Sequence, residues 1–169
     1  MNVASRVLGF PDPANEVSAR LVAGGVAAMA ITAVSLDWRW LTVPLAYGFV
    51  ARVLTGPTAS PLGQLVTRVV TPRLPVAPRW VPGPPKRFAQ GIGVAFSATA
   101  LALTAAGAWG PAKVPLLLLA AAAVLEAALG LCLGCRAFAV LMRLGVIPDE
   151  VCARCNDLWG ERPAPSPQP

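Results

Sequence analysis

Four long apolar runs limit what this chain can fold into more than any motif does. The first covers residues 19–36, ARLVAGGVAAMAITAVSL, and the second residues 40–54, WLTVPLAYGFVARVL. The third spans 88–109, and the fourth stays apolar from 114 to 144. A hydrocarbon layer about 30 Å thick takes about 20 helical residues. The first and third runs reach that length. The second reaches it only if Asp37 to Trp40 and Arg52 lie in the interface, with Arg52 snorkelling toward the headgroups. The fourth would extend about 46 Å as one helix. It must therefore tilt, project or break.

Charge points the same way. Charged residues make up 13% of the chain, against about 25% in an ordinary soluble domain. The net charge of +6 raises the question of nucleic acid. The basic residues, however, fall between apolar runs and not along one face, and few aromatic side chains are available to stack on bases, so no nucleic-acid partner is expected. The expected fold class is all-α: a polytopic integral membrane protein with four transmembrane helices arranged as two hairpins in a lipid bilayer. Residues 19–54 form the first hairpin, turning at DWRW, and residues 88–144 the second, turning at GPAK.

The remaining segments follow from composition. Residues 1–18 form an N-terminal segment with Pro11 and Pro13. Residues 55–87 form a basic, proline-rich loop. Within it SPLGQLVTRVV suits a short interfacial helix, and PRLPVAPRWVPGPPKR suits an extended spacer. Residues 145–160 carry the second cysteine pair, and 161–169 form a polar tail expected to be disordered. The hairpins also resemble each other: RLVAGGVA at Arg20 is similar to RFAQGIGVA at Arg87, and VPLAY at Val43 to VPLLL at Val114. Entering the bilayer from one side, they would form a parallel repeat.

Lys and Arg accumulate in short cytoplasmic loops. Of the fourteen such residues, only Arg39 and Lys113 fall on the side opposite the N-terminus. Both termini and the central loop are therefore expected in the cytoplasm. Ala28-Met29-Ala30 looks like a signal-peptide cleavage site, but the apolar run passes straight through it, and an uncleaved helix is expected.

That orientation places the cysteines. Cys132 and Cys135 close the fourth run in LCLGCR, and Cys152 and Cys155 follow in VCARC. Cytoplasmic thiols are kept reduced, which disfavours permanent disulfides. Two readings remain for C-x2-C-x16-C-x2-C. Zinc takes four thiolates in a tetrahedron, and two such turns could supply them. Alternatively, each pair cycles between dithiol and disulfide. Pro148, Asp149 and Glu150 look like a helix start, which would put Cys152 at a positive dipole end. Cys132 and Cys135 gain nothing from a dipole unless Gly130 and Gly134 break the long helix. Cys152 or Cys155 is thus expected to attack, with the membrane-end pair exchanging with it or resolving it. The plainer reading of LCLGC is that buried cysteines are small hydrophobes and glycines let helices pack.

Glu126 stands mid-run, where a lone carboxylate costs several kcal/mol. It either carries protons or pairs with an arginine such as Arg52, and structural pairing is favoured. With no histidine in the chain, His-based catalysis and His-metal sites are excluded. GGVAAMA and GIGVA are helix-packing surfaces, not nucleotide fingerprints.

Together, FPDPANEVSARLVAGG, LAYGFVARVLTGPTASPLGQL, GPPKRFAQGIG and LEAALGLCLGCRAFAVLMRLGVIPDEVCARC resemble the bacterial membrane family called domain of unknown function 4395, over about residues 10 to 158. The resemblance implies a four-helix integral membrane protein. Family members often lie beside thioredoxin-like and rhodanese-type sulfurtransferase proteins, which implies thiol or sulfane-sulfur chemistry at the matching positions Cys132, Cys135, Cys152 and Cys155. Four-helix membrane oxidoreductases that pass electrons from cysteine pairs to quinones have the same number of helices and cysteine pairs but no matching sequence. Thiols on the cytoplasmic side argue against a quinone partner here.

The functional expectation is a thiol-disulfide or sulfur-relay protein with a soluble thioredoxin-like or rhodanese-type partner. Its alternatives are a non-enzymatic scaffold with a structural zinc held by the four cysteines, and a small transporter of a sulfur species that would need to be a homo-oligomer, because four helices enclose little space.

Overall fold

Asn15 begins the first helix. Its side-chain oxygen accepts from the Val17 amide at 3.0 Å, satisfying one of the donors that a helix start leaves open. Helix α1 then runs Glu16–Ser35. A 3-10 turn, Arg39–Leu41, leads into α2, Thr42–Thr55. Helix α3, Pro61–Leu65, starts from Ser60, whose hydroxyl accepts from the Gly63 amide. It continues as a π-helical turn over Val66–Val70. Helix α4 spans Gly83–Ala105, α5 Trp109–Leu129 and α6 Leu133–Arg143. A two-residue ladder joins β1, Ala14–Asn15, antiparallel to β2, Trp80–Val81, with Ala14 opposite Val81. The computed structural model describes residues 11–148 and 151–152.

Helices α1, α4 and α5 are long and apolar enough to cross a membrane. Helix α2, with 14 residues, rises about 21 Å, short of the about 30 Å of a hydrocarbon core. By length there are thus three spanning helices among the described residues where the sequence suggests four.

The proline-rich spacer ends earlier than its composition implies. Pro84 and Pro85 occupy the first turn of α4, where proline's fixed φ suits a helix and its missing N–H costs nothing. The Gly83 amide donates to the Asp12 carboxylate at 3.1 Å. Likewise GPAK is not a turn. Gly110 to Lys113 lie in the first turns of α5, and the reversal falls at 106–108.

Side chains show which helix ends share a level. At the start of α1, the Arg20 guanidinium donates to the carbonyls of Ala127 and Ala128 at the end of α5, at 2.9 to 3.2 Å. At the start of α4, Arg87 Nε donates to the Val53 carbonyl at the end of α2, at 3.1 Å. Each arginine supplies positive charge and donors to carbonyls that a helix end leaves unpaired. At the opposite level, Asp37 accepts from Lys113 at 2.6 Å and from the Trp109 indole at 2.7 Å. Trp38 and Trp40 stack beside it, both exposed.

The two similar sequence stretches therefore do equivalent work. Arg20 and Arg87 each secure the end of the other half's second helix. Leu45 and Leu116, each following the proline of a Val-Pro-Leu, are almost completely buried. Small residues fill the rest of the interior: Ala30, Ala33, Ala100 and Ala112 have no exposed surface, which lets helices approach closely where lipid gives no hydrophobic drive. At Gly93 a Cβ would stand 2.1 Å from Phe49 Cε1, so only glycine permits the crossing of α2 and α4 there.

The fourth apolar run breaks. Gly130 adopts φ 68, a left-handed conformation that glycine takes without strain. Its amide returns to the Glu126 carbonyl at 3.0 Å, and the Leu131 amide reaches back to Leu125 at 3.2 Å. This paired closure ends α5. The second expected hairpin, 88–144, is thus corrected: its spanning helices cover 83–105 and 109–129, and α6 is a separate element.

Candidate functional site

The break at Gly130 gives the first cysteine pair a different setting from the one its sequence suggests. Cys132 is the N-cap of α6, with extended backbone, and Cys135 lies in the first turn. Gly134 stays within the helix. Its Cβ position would stand 2.5 Å from Ala89 Cβ, so glycine here brings α6 against α4. The pair therefore sits at a helix N-terminus, where the dipole favours a thiolate.

Cys132 is buried and Cys135 half-buried, both as free thiols. The Cys135 thiol, hydrogen-bonding to the Cys132 sulfur, pulls Cys132 below the ordinary thiol range; Lys86 adds to this, while burial and the Glu126 charge oppose it. Cys135 moves the other way, raised by the same hydrogen bond and by burial. The hydrogen bond between the two thiols thus sets their proton affinities apart, Cys132 lower and Cys135 higher.

Cys132 and Cys135 line a cavity of ≈ 340 Å³ together with Lys86, Arg136, Glu16 and Arg79. Lys86 Nζ stands 2.6 Å from Glu126 Oε1, with the two side chains 9% and 16% exposed. Glu126 is thus paired with Lys86 and not with Arg52. Arg52 itself is buried, where snorkelling was expected. Its Nε donates to Gln90 Oε1 at 2.9 Å and its Nη1 to Ser60 Oγ at 3.1 Å, and its guanidinium lies over Phe49 with the centroid 4.5 Å away. Lys86, Gln90 and Ser60 escaped the sequence reading. Lys86 sits in a run of prolines and basic residues and counted only toward membrane orientation.

Cys152 packs against Phe138 and Met142 of α6, beside Phe88 and Ile147, and Phe88 meets Phe138 edge to face. It is disulfide-bonded, so the expectation of reduced thiols throughout is not met at this position. Cys155 lies outside the described residues, as does most of the expected helix start at Pro148. Among the described residues no three Cys, Asp or Glu side chains gather as a metal would require.

Helices long and apolar enough to span a membrane, with a C-x-x-C pair at the start of α6, give the class: an all-helical, membrane-type protein with two cysteines at one end of its bundle. The chain belongs to the DUF4395 family, a domain of unknown function, whose model matches residues 14–143. That range is narrower than the likeness drawn from sequence, and it holds Cys132 and Cys135 but not Cys152 or Cys155. No curated protein and no solved structure matches the chain.

Proposed function

We propose that this protein is a four-span inner-membrane thiol-disulfide oxidoreductase, with both termini cytoplasmic and Cys132 as its nucleophile. Helix α2 with its preceding 3-10 turn serves as the fourth span, held level with the others through Arg87 and Val53. The single observation that carries the chemistry is the free Cys132–Cys135 pair at the start of α6, lining a cavity beside Lys86.

The exchange proceeds in two displacements. The Cys132 thiolate attacks one sulfur of a partner disulfide, forming a mixed disulfide and releasing one partner thiolate. Cys135, losing its proton, then attacks the Cys132 sulfur, closing the Cys132–Cys135 disulfide and releasing the second partner thiol. Two electrons pass to the partner; run in reverse, the same two displacements let a partner dithiol reduce the Cys132–Cys135 disulfide. The partner is a soluble thioredoxin-like or rhodanese-type protein. Cys152, buried on α6 a short way along the chain, belongs to the pair that exchanges with this one.

A trapping experiment tests the assignment. Cys135→Ala leaves the mixed disulfide unresolved, so a disulfide-bearing partner accumulates covalently on Cys132. Trapping on Cys152 in place of Cys132 would reverse the roles. Mass analysis separates exchange from sulfur relay, because exchange removes two hydrogens from the pair and relay adds a sulfur atom to one cysteine.

A further inference from the structure

A second chamber, of ≈ 350 Å³, lies inside the bundle, and Cys132 stands at its edge. Its walls come from α1, α2, α4, α5 and α6, and are mostly apolar: Val22, Val26, Phe49, Phe96 and Leu119. Three polar groups face it, namely Arg52, Gln90 and Glu126. Glu126 is neutralised by Lys86. Arg52 has no carboxylate within ion-pair distance among the described residues, and its Nη2 donates to no protein group there. It is only 5% exposed. A buried guanidinium gains from a further hydrogen-bond acceptor, so the site suits an occupant that brings an oxygen. The chamber's rim includes Leu118, which is exposed on a spanning helix, and so the chamber opens sideways toward hydrocarbon.

We infer that this chamber binds the head of a lipophilic quinone, the membrane acceptor for electrons from Cys132 and Cys135. The inference rests on the thiol-disulfide reading above. The chamber's volume lies in the range of small-molecule sites. A quinone fits where an ordinary lipid chain does not, because its ring oxygen accepts from Arg52, its body suits the apolar wall, and its tail leaves past Leu118. As the ring is reduced its oxygens gain negative charge, which the guanidinium stabilises. The balance is complete: two S–H bonds break, one S–S bond forms, and two electrons and two protons convert the quinone to hydroquinone. A lateral entrance removes the objection that cytoplasm-facing thiols are out of a quinone's reach.

The test uses the full chain, reduced, in phosphatidylcholine nanodiscs without oxygen. The probe is decylubiquinone, whose ring has no free position for thiol addition. The expected result is one hydroquinone formed per Cys132–Cys135 disulfide. Arg52→Gln should raise the decylubiquinone concentration that gives half the maximal single-turnover rate about tenfold, the loss of a charge-assisted hydrogen bond, and Arg52→Lys should recover part of it. If Arg52→Gln does not fold, Leu118→Trp at the exposed rim should slow the reaction by blocking entry. Thiols that exchange with a soluble disulfide but leave decylubiquinone unreduced would overturn the quinone site alone. Thiols inert to both would overturn the oxidoreductase reading as well. Unchanged kinetics in both Arg52→Gln and Leu118→Trp, or a chamber holding only fatty acid while decylubiquinone goes unreduced, also defeats it.

Discussion

Lys86 Nζ stands 2.6 Å from Glu126 Oε1, and this ion pair between the start of α4 and the end of α5 lies within electrostatic reach of Cys132. The two charges act on the thiol with opposite sign. Lys86→Gln should therefore slow alkylation of Cys132 by iodoacetamide at fixed pH, and Glu126→Gln should speed it. Each change should be a few-fold, since the interacting charges are partly exposed to water. The rates are read by mass spectrometry of the labelled peptide. Equal rates in both variants would show that the pair does not tune the thiol.

The pH profile of Cys132 follows from its hydrogen bond. A thiol held below the ordinary range forms thiolate at lower pH, so alkylation of Cys132 should rise through a midpoint below about 8.5, the value of a free cysteine. Cys135 should react only at higher pH. In Cys135→Ala the hydrogen bond that chiefly lowers Cys132 is gone, so the Cys132 midpoint should move up. A midpoint that stays put would assign the effect to the helix dipole and Lys86 instead.

Much of this architecture is legible in the sequence. Runs 19–36, 88–109 and 114–144 mark the three spanning helices, because apolar length reports directly on a hydrocarbon layer. Pairing Glu126 with a cation follows from the cost of a lone charge. The identity of that cation does not follow, because Lys86 and Arg52 are both cationic and only the packing of α4 against α5 selects between them. The helix break is encoded in Gly130, yet glycine inside an apolar run reads equally as a packing surface. Its left-handed φ distinguishes the two, and it sets Cys132 and Cys135 at a helix start.

That break can be tested alone. Gly130→Ala places a Cβ on a backbone with φ 68, costing about 1 to 2 kcal/mol. It should favour running α5 on into the Cys132 segment. The expected outcome is lower thermal stability in detergent together with slower Cys132 alkylation. Stability lost with reactivity unchanged would separate the break from the thiol's activation.

Two glycines in neighbouring positions offer a packing control. Gly93→Ala drives a methyl into the Phe49 ring, while Gly91 has nothing within 4 Å of the same position. Gly93→Ala should destabilise the bundle by about 1 to 3 kcal/mol. Gly91→Ala should be neutral or slightly stabilising, because alanine is the better helix former. Thermal unfolding of the two variants in one detergent compares them. Equal melting temperatures would contradict the close crossing of α2 and α4.

The most direct measurement is a redox titration of a variant that keeps Cys132 and Cys135 but carries Cys152→Ser and Cys155→Ser. The protein is equilibrated in thiol-disulfide buffers of stepped potential, quenched by alkylation and weighed. The expected result is one reversible two-electron transition, in which the pair passes between two alkylated thiols and a disulfide lacking two hydrogens. A pair that stays doubly alkylated across the whole range, oxidising at no potential, would contradict an activated dithiol at the start of α6.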